Sequence, residues 1–135
     1  MNQTKITINR TAKVLFCIAA IICIFGAAAH ELLGAPKVLA PLLNTNLPAD
    51  VIFLHHFSWH VGTVAVLGIA FLFYMACIAN AINYALIAST ISAGFSLVAL
   101  ILATNVDPIL WTTPAPYPWT LVAILGYVGA YISYK

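Results

Sequence analysis

Residues 51–79, VIFLHHFSWHVGTVAVLGIAFLFYMACIA, form a long and almost unbroken apolar run. A helix needs roughly 20 apolar residues to cross the hydrocarbon layer of a bilayer, and this run exceeds that length. Three of the chain's four histidines, His55, His56 and His60, stand near its start. The run therefore predicts a membrane-spanning helix with an unusual concentration of polar side chains at one end.

The composition of the whole chain indicates the same class of protein. Of its 135 residues, 64% are hydrophobic and 6% are charged, and its mean hydropathy is +1.05. A soluble domain carries about 25% charged residues, so this chain has too few of them to cover a surface that faces water. The net charge of +2 is too small to indicate a nucleic-acid partner. The expected surroundings are a lipid bilayer.

Four apolar segments predict an all-α integral membrane protein, a four-transmembrane-helix up-down bundle that forms a single domain over residues 1–135. The GAP sequence at residues 34–36 is expected to end the first helix. The NAIN sequence at residues 80–83 leaves room for only a tight hairpin between the second and third helices. The predicted helices are residues 14–33, 50–79, 81–103 and 119–134.

Basic residues indicate the orientation of this bundle, since cytoplasmic loops are enriched in lysine and arginine. Four of the five basic residues flank one side of the predicted bundle, and Lys37 alone lies in a loop on the other. Both termini are therefore expected in the cytoplasm, and the membrane is expected to be a bacterial inner membrane. The four are Lys5, Arg10, Lys13 and Lys135.

The outward side carries the other polar and aromatic features of the chain. All three acidic residues, Glu31, Asp50 and Asp107, fall on or near it. Aromatic rings with a polar edge concentrate at the boundary between lipid and water. Three such residues precede or begin the last helix and are expected to be interfacial anchors: Trp111, Tyr117 and Trp119.

The histidines can be sorted by depth and by helical rotation. His30 lies about one turn inside the predicted end of the first helix, and His60 lies at a similar depth in the second, antiparallel helix. At about 100° per residue, His56 and His60 are about 40° apart on the helix surface. That face also carries Ile52, Thr63 and Leu67, whereas His55 lies elsewhere. Glu31 is one position from His30, so only one of these two side chains need point inward.

Ionisable side chains inside a membrane are rare and indicate a functional site. The histidines His30, His60 and His56, with Glu31 as a further ligand and Trp59 as a supporting residue, form a candidate site for a metal ion or haem. A haem would take His30 and His60 from opposite sides. The alternative is that each histidine donates to a backbone carbonyl or a hydroxyl and holds no ligand. The sequence indicates no catalytic residue.

The three cysteines, Cys17, Cys23 and Cys77, lie within apolar runs and form no CxxC motif. Their odd number indicates neither a disulfide framework nor a zinc ribbon. They are expected to be buried as small apolar side chains.

Two short elements resemble a group of small four-helix bacterial membrane proteins. These proteins carry a His-x-x-x-Gly element followed by Trp-His, and here the elements are HELLG (residues 30–34) and Trp59–His60. The resemblance implies the four-helix topology and marks His30, Trp59 and His60, but it implies no particular activity.

Three classes of function follow from these patterns. The first is a membrane protein with an outward-facing histidine site. The second is a non-catalytic accessory subunit that packs against a larger membrane complex. The third is a small transporter or channel, which would need to form a homo-oligomer because four helices leave little room for a path. An enzyme is the less favoured expectation, since there is no glycine-rich phosphate loop and no pair of carboxylates.

Overall fold

The structure is a computed structural model that describes residues 8–133. The described residues are helical and contain no strand, which confirms the predicted all-α class. Lys5, Tyr134 and Lys135, which entered the predictions of helix ends and orientation, lie outside this range. The elements are α1 (Arg10–Ala29), a π-helical turn (His30–Gly34), α2 (Ala35–Leu42), α3 (Ala49–Ile78), α4 (Ile82–Asn105), a 3-10 helix (Pro108–Thr112) and α5 (Pro118–Ser133).

Within residues 8–133, three helical segments are long and apolar enough to cross a membrane. They are Arg10–Leu42, which joins α1 to α2 through the π turn, Ala49–Ile78 and Ile82–Asn105. The fourth helix, α5, has 16 residues and is about 24 Å long at about 1.5 Å per residue. It is apolar but shorter than the other three.

The first helix does not end at Leu33, and the prediction that residues 34–36 terminate it is wrong. The backbone continues through the π turn into α2 and leaves the helix only after Leu42. Pro36 lacks an N–H and its ring would clash with the carbonyl four residues earlier. The chain meets this constraint by widening one turn, so that the N–H of Ala35 bonds to the carbonyl of His30, five residues back. The proline therefore changes the helix without ending it.

The bounds of α3 and α4 and the start of α5 agree with the predicted bounds to within two residues, whereas α1 begins at Arg10, four residues before its predicted start. The expected hairpin after α3 is present, and Asn80 adopts a positive φ of 51° at its centre. Asparagine tolerates this left-handed conformation better than most residues, and it commonly follows a helix end. The N–H of Ala81 then bonds to the carbonyl of Ala76 at 3.3 Å, which closes the helix end. The side chain of Asn80 also accepts a hydrogen bond from the N–H of Ile8 at 3.1 Å.

The four main helices form a ring in which every neighbour is antiparallel. Helix α1 packs against α3 and α5, and α4 packs against the same two helices from the other side. Contacts between α1 and α3 run in opposite chain directions: Phe16 stacks on Phe73, whereas His30 reaches Thr63. An up-down bundle brings the π turn, the start of α3, the end of α4 and the start of α5 to one end, which we term the histidine end.

Two aromatic rings form the centre of the core, and glycines of α5 leave room for them. Phe16 and Phe73 are both fully buried, and their ring centroids are 6.1 Å apart. A Cβ atom at Gly129 would lie 2.5 Å from the Phe16 ring, and one at Gly126 would lie 2.9 Å from the Phe73 ring. Since lipid supplies no hydrophobic force between helices, close contact of this kind holds such bundles together. Glycine at these two positions of α5 lets the rings fill the centre.

The residues expected at the interface all lie at the histidine end. Trp111 and Tyr117 form a surface pair in which the Tyr117 hydroxyl donates to the Trp111 carbonyl at 2.8 Å. Trp119 instead packs edge-on against Phe95, with ring centroids 5.3 Å apart, and is half-buried. Asp107 caps the 3-10 helix by accepting from the N–H of Ile109 at 2.9 Å.

Candidate functional site: a histidine–glutamate cluster

The π turn positions the two polar side chains that follow α1. The N–H of His30 still bonds within α1, to the carbonyls of Gly26 and Ala27. The next bonds span five residues, so the backbone is wider at this point. In consequence both His30 and Glu31 reach side chains of α3. Single π turns inside α-helices occur frequently at functional sites.

Glu31 is the centre of the cluster. Its two carboxylate oxygens lie 3.2 and 3.1 Å from Nδ1 of His60. The hydroxyl of Thr63 donates a short hydrogen bond to the same carboxylate. The side chains of His60 and Glu31 are 57% and 30% exposed, so the pair remains open to the outside of the bundle.

His30 joins the cluster through Thr63. Its Nδ1 lies 2.8 Å from the Thr63 hydroxyl and 3.9 Å from the nearer oxygen of Glu31. Two imidazoles, one carboxylate and one hydroxyl therefore meet on the seam between the π turn and α3. We refer to these four residues as the His–Glu cluster: His30, Glu31, His60 and Thr63.

The donors and acceptors determine where the protons of the cluster lie. An ionised carboxylate only accepts hydrogen bonds. Nδ1 of His60, which faces Glu31, must therefore be the donor and carry a proton. Thr63 has one hydroxyl proton and gives it to Glu31. The Thr63 oxygen must then accept from His30, which therefore also carries its proton on Nδ1. In the neutral state both rings keep an unprotonated Nε2 with a free lone pair.

Trp59 and Gly34 hold the His30 ring in place. The Trp59 indole lies flat on the His30 imidazole, with centroids 3.9 Å apart and planes 10° from parallel. A Cβ atom at position 34 would lie 2.9 Å from Cζ2 of Trp59, so only glycine leaves room for the indole. The two short sequence elements that carry the resemblance, HELLG and Trp59–His60, therefore meet across the seam between the π turn and α3.

His56 and His55 do not belong to the cluster. His56 shares the helix face of His60 but makes no hydrogen bond to the cluster, and its Nε2 is buried with no hydrogen-bond partner among the described residues. Its ring lies beside Phe53, with centroids 6.1 Å apart. His55 is exposed, and its carbonyl accepts from the Ser58 hydroxyl at 2.9 Å. The position of His55 on the helix surface predicts that it lies outside the site. The structure places His56 outside the cluster as well.

The cluster contains the types of ligand that transition metals prefer, but its donor atoms are engaged. In the part of the chain that the structure describes, no three His, Cys, Asp or Glu side chains are arranged to hold one metal ion. Both Nδ1 atoms are directed at Glu31 or Thr63. A metal ion or haem would therefore have to bind through the Nε2 atoms or replace these hydrogen bonds.

Thr63 is the member of the cluster to which the sequence assigned no role. It lies three residues after His60 and on the helix face that the sequence predicts for both residues. A threonine on the same helix face as His60 is the sequence feature that could have indicated this role, because its hydroxyl can both donate to and accept from side chains of a neighbouring helix. That one hydroxyl contacts both His30 and Glu31 could not be predicted from the sequence, because a regular α-helix would separate these two side chains by about 100°.

Comparison of the chain with protein-family models, with curated proteins and with solved structures gives no match. The resemblance to small four-helix bacterial membrane proteins therefore stays a prediction, and the His–Glu cluster is the feature that bears on function.

Proposed function

We propose that this chain is an integral membrane protein of a bacterial inner membrane, with four spans and both termini in the cytoplasm. Three helices of sufficient length and apolarity support the insertion. The distribution of charge supports the orientation. Arg10 and Lys13 lie at the end opposite the His–Glu cluster, whereas Glu31, Asp50 and Asp107 lie at the histidine end. The cluster then faces outward.

Within this protein, the His–Glu cluster is a proton-accepting site whose reactive atom is Nε2 of His60. The observation that carries this proposal is the contact of both Glu31 oxygens with Nδ1 of His60, at 3.1 and 3.2 Å. A carboxylate in this position fixes the tautomer of a histidine and stabilises the imidazolium that forms when the ring takes a proton. Since His60 is more than half exposed, its Nε2 can meet a proton donor from outside the bundle.

The remaining members of the cluster keep this pair in place. Thr63 donates to Glu31 and accepts from His30, and Trp59 fixes the plane of the His30 ring. His30 therefore acts as a positioning residue, because it contacts Glu31 through Thr63. The arrangement suits the transfer of a proton to or from a membrane-bound partner or substrate at the outer surface.

Reaction with diethyl pyrocarbonate tests this function, since the reagent attacks an unprotonated imidazole nitrogen. The intact protein in detergent is treated at mildly alkaline pH, above the usual pKa of histidine, so that unprotonated imidazoles are compared. Modification of each histidine is followed by peptide mass spectrometry. We expect His60 to react about two- to fivefold faster than the exposed His55, an effect of the size expected for a partly solvated ion pair. The Glu31→Gln variant should bring His60 to the rate of His55. Equal rates for the two histidines in the unchanged protein would contradict the proposal.

A transition-metal ion is the second candidate ligand of the same cluster. It is favoured by one observation: Nδ1 of each of the two imidazoles lies within 4 Å of the Glu31 carboxylate. Metal-bound histidines commonly donate their other N–H to a carboxylate. Calorimetric titration with Zn²⁺ and Co²⁺ tests it. Binding of one ion per chain that is lost in both His30→Ala and His60→Ala would establish a metal site. Absence of binding would leave the proton-accepting site as the only role of the cluster.

A further inference from the structure

A pair of cysteines at the other end of the seam between α1 and α3 forms a second candidate site. The Sγ atoms of Cys17 and Cys77 are 3.7 Å apart, and both thiols are free. The Cys77 thiol also lies 3.6 Å from the Lys13 carbonyl, to which it donates. The apolar runs around the three cysteines predict that all three are buried, but only Cys23 is, since Cys17 is exposed and Cys77 is half-buried. The expectation is therefore wrong for the two residues that meet.

The geometry brings these thiols close to bonding distance. A disulfide bond is about 2.05 Å long, so the two sulfur atoms must approach by roughly 1.7 Å to form one. They lie on different helices, 60 residues apart in the chain. A bond between them would link α1 to α3 close to the amino-terminal end of the bundle.

Cys17 also lines an apolar groove on the outer surface of the same seam. The groove has a volume of about 460 Å³, and Ile21, Leu67, Phe71 and Tyr74 form part of its wall. These four side chains are exposed on the outside of the bundle. A volume of this size lies within the range of sites that hold small organic molecules. In a bilayer, such a groove is reached from the hydrocarbon layer rather than from water.

We propose that Cys17 and Cys77 form a dithiol–disulfide couple that a lipid-soluble quinone oxidises from this groove. The two S–H bonds break and one S–S bond forms between Cys17 and Cys77. The two electrons and two protons released reduce the quinone to its hydroquinone, so one disulfide and one hydroquinone form from two thiols and one quinone. Tyr74 provides a phenolic hydroxyl in the groove wall that can donate to a quinone carbonyl.

The chemistry of the site favours this oxidant. The apolar wall suits a ring with an apolar tail, and the thiol at its edge supplies electrons. With both termini in the cytoplasm, the pair lies toward the reducing side of the membrane, where a purely structural disulfide is rare and a cysteine pair usually serves redox chemistry. The inference thus relies on the proposed membrane orientation, but it is independent of the His–Glu cluster.

The test uses the full chain in lipid nanodiscs, reduced and then exposed to tetramethyl-1,4-benzoquinone, whose fully substituted ring is blocked against thiol addition. We expect one quinone to be reduced per chain, with Cys17 and Cys77 recovered as one linked peptide pair. Cys17→Ser and Cys77→Ser should abolish both signals, whereas Cys23→Ser, which removes the buried thiol, should leave them unchanged.

A groove variant and a water-soluble oxidant keep the proposal testable if a cysteine variant folds poorly. Ile21→Trp should fill the groove and slow quinone reduction at least about fivefold while diamide still forms the bridge. Failure of both oxidants to link Cys17 and Cys77 would overturn the proposal. A bridge that forms with diamide but not with the quinone would overturn it too. Neither result bears on the diethyl pyrocarbonate reaction of His60, so the two proposals fail separately.

Discussion

The carboxylate of Glu31 lies in an apolar helical segment and is held by two donors from α3. Ionisable groups in such segments are costly unless they are paired or reach water. Here His60 and Thr63 donate to the carboxylate, and its side chain remains 30% exposed. Glu31 can thus stay ionised and act on His60 as an acceptor with a full charge. Glu31 is therefore the residue that connects the other members of the cluster, and its carboxylate is as important to the site as the histidines.

Replacement of Gly34 by alanine should disturb the site through Trp59. The added Cβ would lie 2.9 Å from Trp59 Cζ2, so the indole must move away from the His30 ring. We expect the free energy of unfolding to fall by about 1–3 kcal/mol, as in other overpacked sites. Thermal unfolding in detergent measures this change.

Gly26→Ala is the matched control for this substitution. It lies in the same helix, and nothing stands within 4 Å of its added Cβ. Because alanine favours a helix over glycine, this variant should be as stable as the unchanged protein or more stable. Equal stability of Gly34→Ala and Gly26→Ala would show that Trp59 does not depend on position 34.

At the residue scale, the sequence predicted part of the site and missed its contacts. Apolar length and depth were enough to place His30 opposite His60, and rotation was enough to exclude His55. The role of Thr63 depends on which of its neighbours points at it, and that depends on the backbone of another helix. The proximity of Cys17 and Cys77 likewise depends on how α1 and α3 pack, which no spacing within one helix encodes.

The π turn is the element that assembles the cluster. It lies between α1 and α2 and precedes Pro36 directly. A regular α-helix would direct neighbouring residues about 100° apart, and only one of His30 and Glu31 would then face α3. The wider turn allows both to contact Thr63. Pro36 thus influences the positions of His30 and Glu31 through the backbone of the π turn.

Replacement of Pro36 by alanine should restore a regular helix and separate the cluster. Alanine supplies the missing N–H and removes the ring that clashes with the carbonyl of Leu32. We expect His60 to react with diethyl pyrocarbonate at the rate of His55, because Glu31 no longer faces it. Since alanine also favours the helix, the protein should not unfold more readily.

Pro41→Ala provides the comparison for this variant. Pro41 lies in the last turn of α2, beyond the site. Its replacement should leave the reactivity of His60 unchanged. If Pro36→Ala also left this reactivity unchanged, the π turn would have no part in assembling the cluster.

Elements differed in how well the sequence predicted them. The end of α3 follows from Asn80, a residue that tolerates the left-handed backbone at a tight turn. The end of the first helix was misplaced, because a glycine and a proline close together usually stop a helix. Here the widened turn accommodates Pro36, and helix continues to Leu42.

At the scale of the whole molecule, the polar and basic residues separate to opposite ends of an apolar bundle. Arg10 and Lys13 lie at one end, and the His–Glu cluster lies at the other. Large apolar side chains cover the outer surface between them; Phe25, Phe53 and Phe71 are 72%, 64% and 59% exposed. Such a surface suits contact with lipid rather than water. Composition was sufficient to predict the apolar surface, because that surface depends on totals rather than on individual contacts. The separation of charges followed from the positions of the charged residues relative to the predicted helices.

Reporter fusions test the proposed orientation. Green fluorescent protein attached after Lys135 should fluoresce in bacterial cells, because it folds in the cytoplasm and not after export through the general secretion pathway. Alkaline phosphatase fused after Asp107, at the end of α4, should be active, because it needs the outer compartment. The reverse pattern at both positions would contradict the orientation and place the His–Glu cluster on the inner side.

The tautomer of His60 shows whether Glu31 acts on this ring, because a carboxylate beside Nδ1 keeps the proton of the neutral imidazole on that nitrogen. Nitrogen-15 NMR of labelled histidine rings, at a pH where His60 is neutral, distinguishes Nδ1–H from Nε2–H. We expect His60 to be the Nδ1–H form in the unchanged protein and to shift toward Nε2–H in Glu31→Leu, with the exposed His55 the same in both. A His60 that carries its proton on Nε2 in the unchanged protein would show that Glu31 does not set the tautomer and that Nε2 is not the proton-accepting atom.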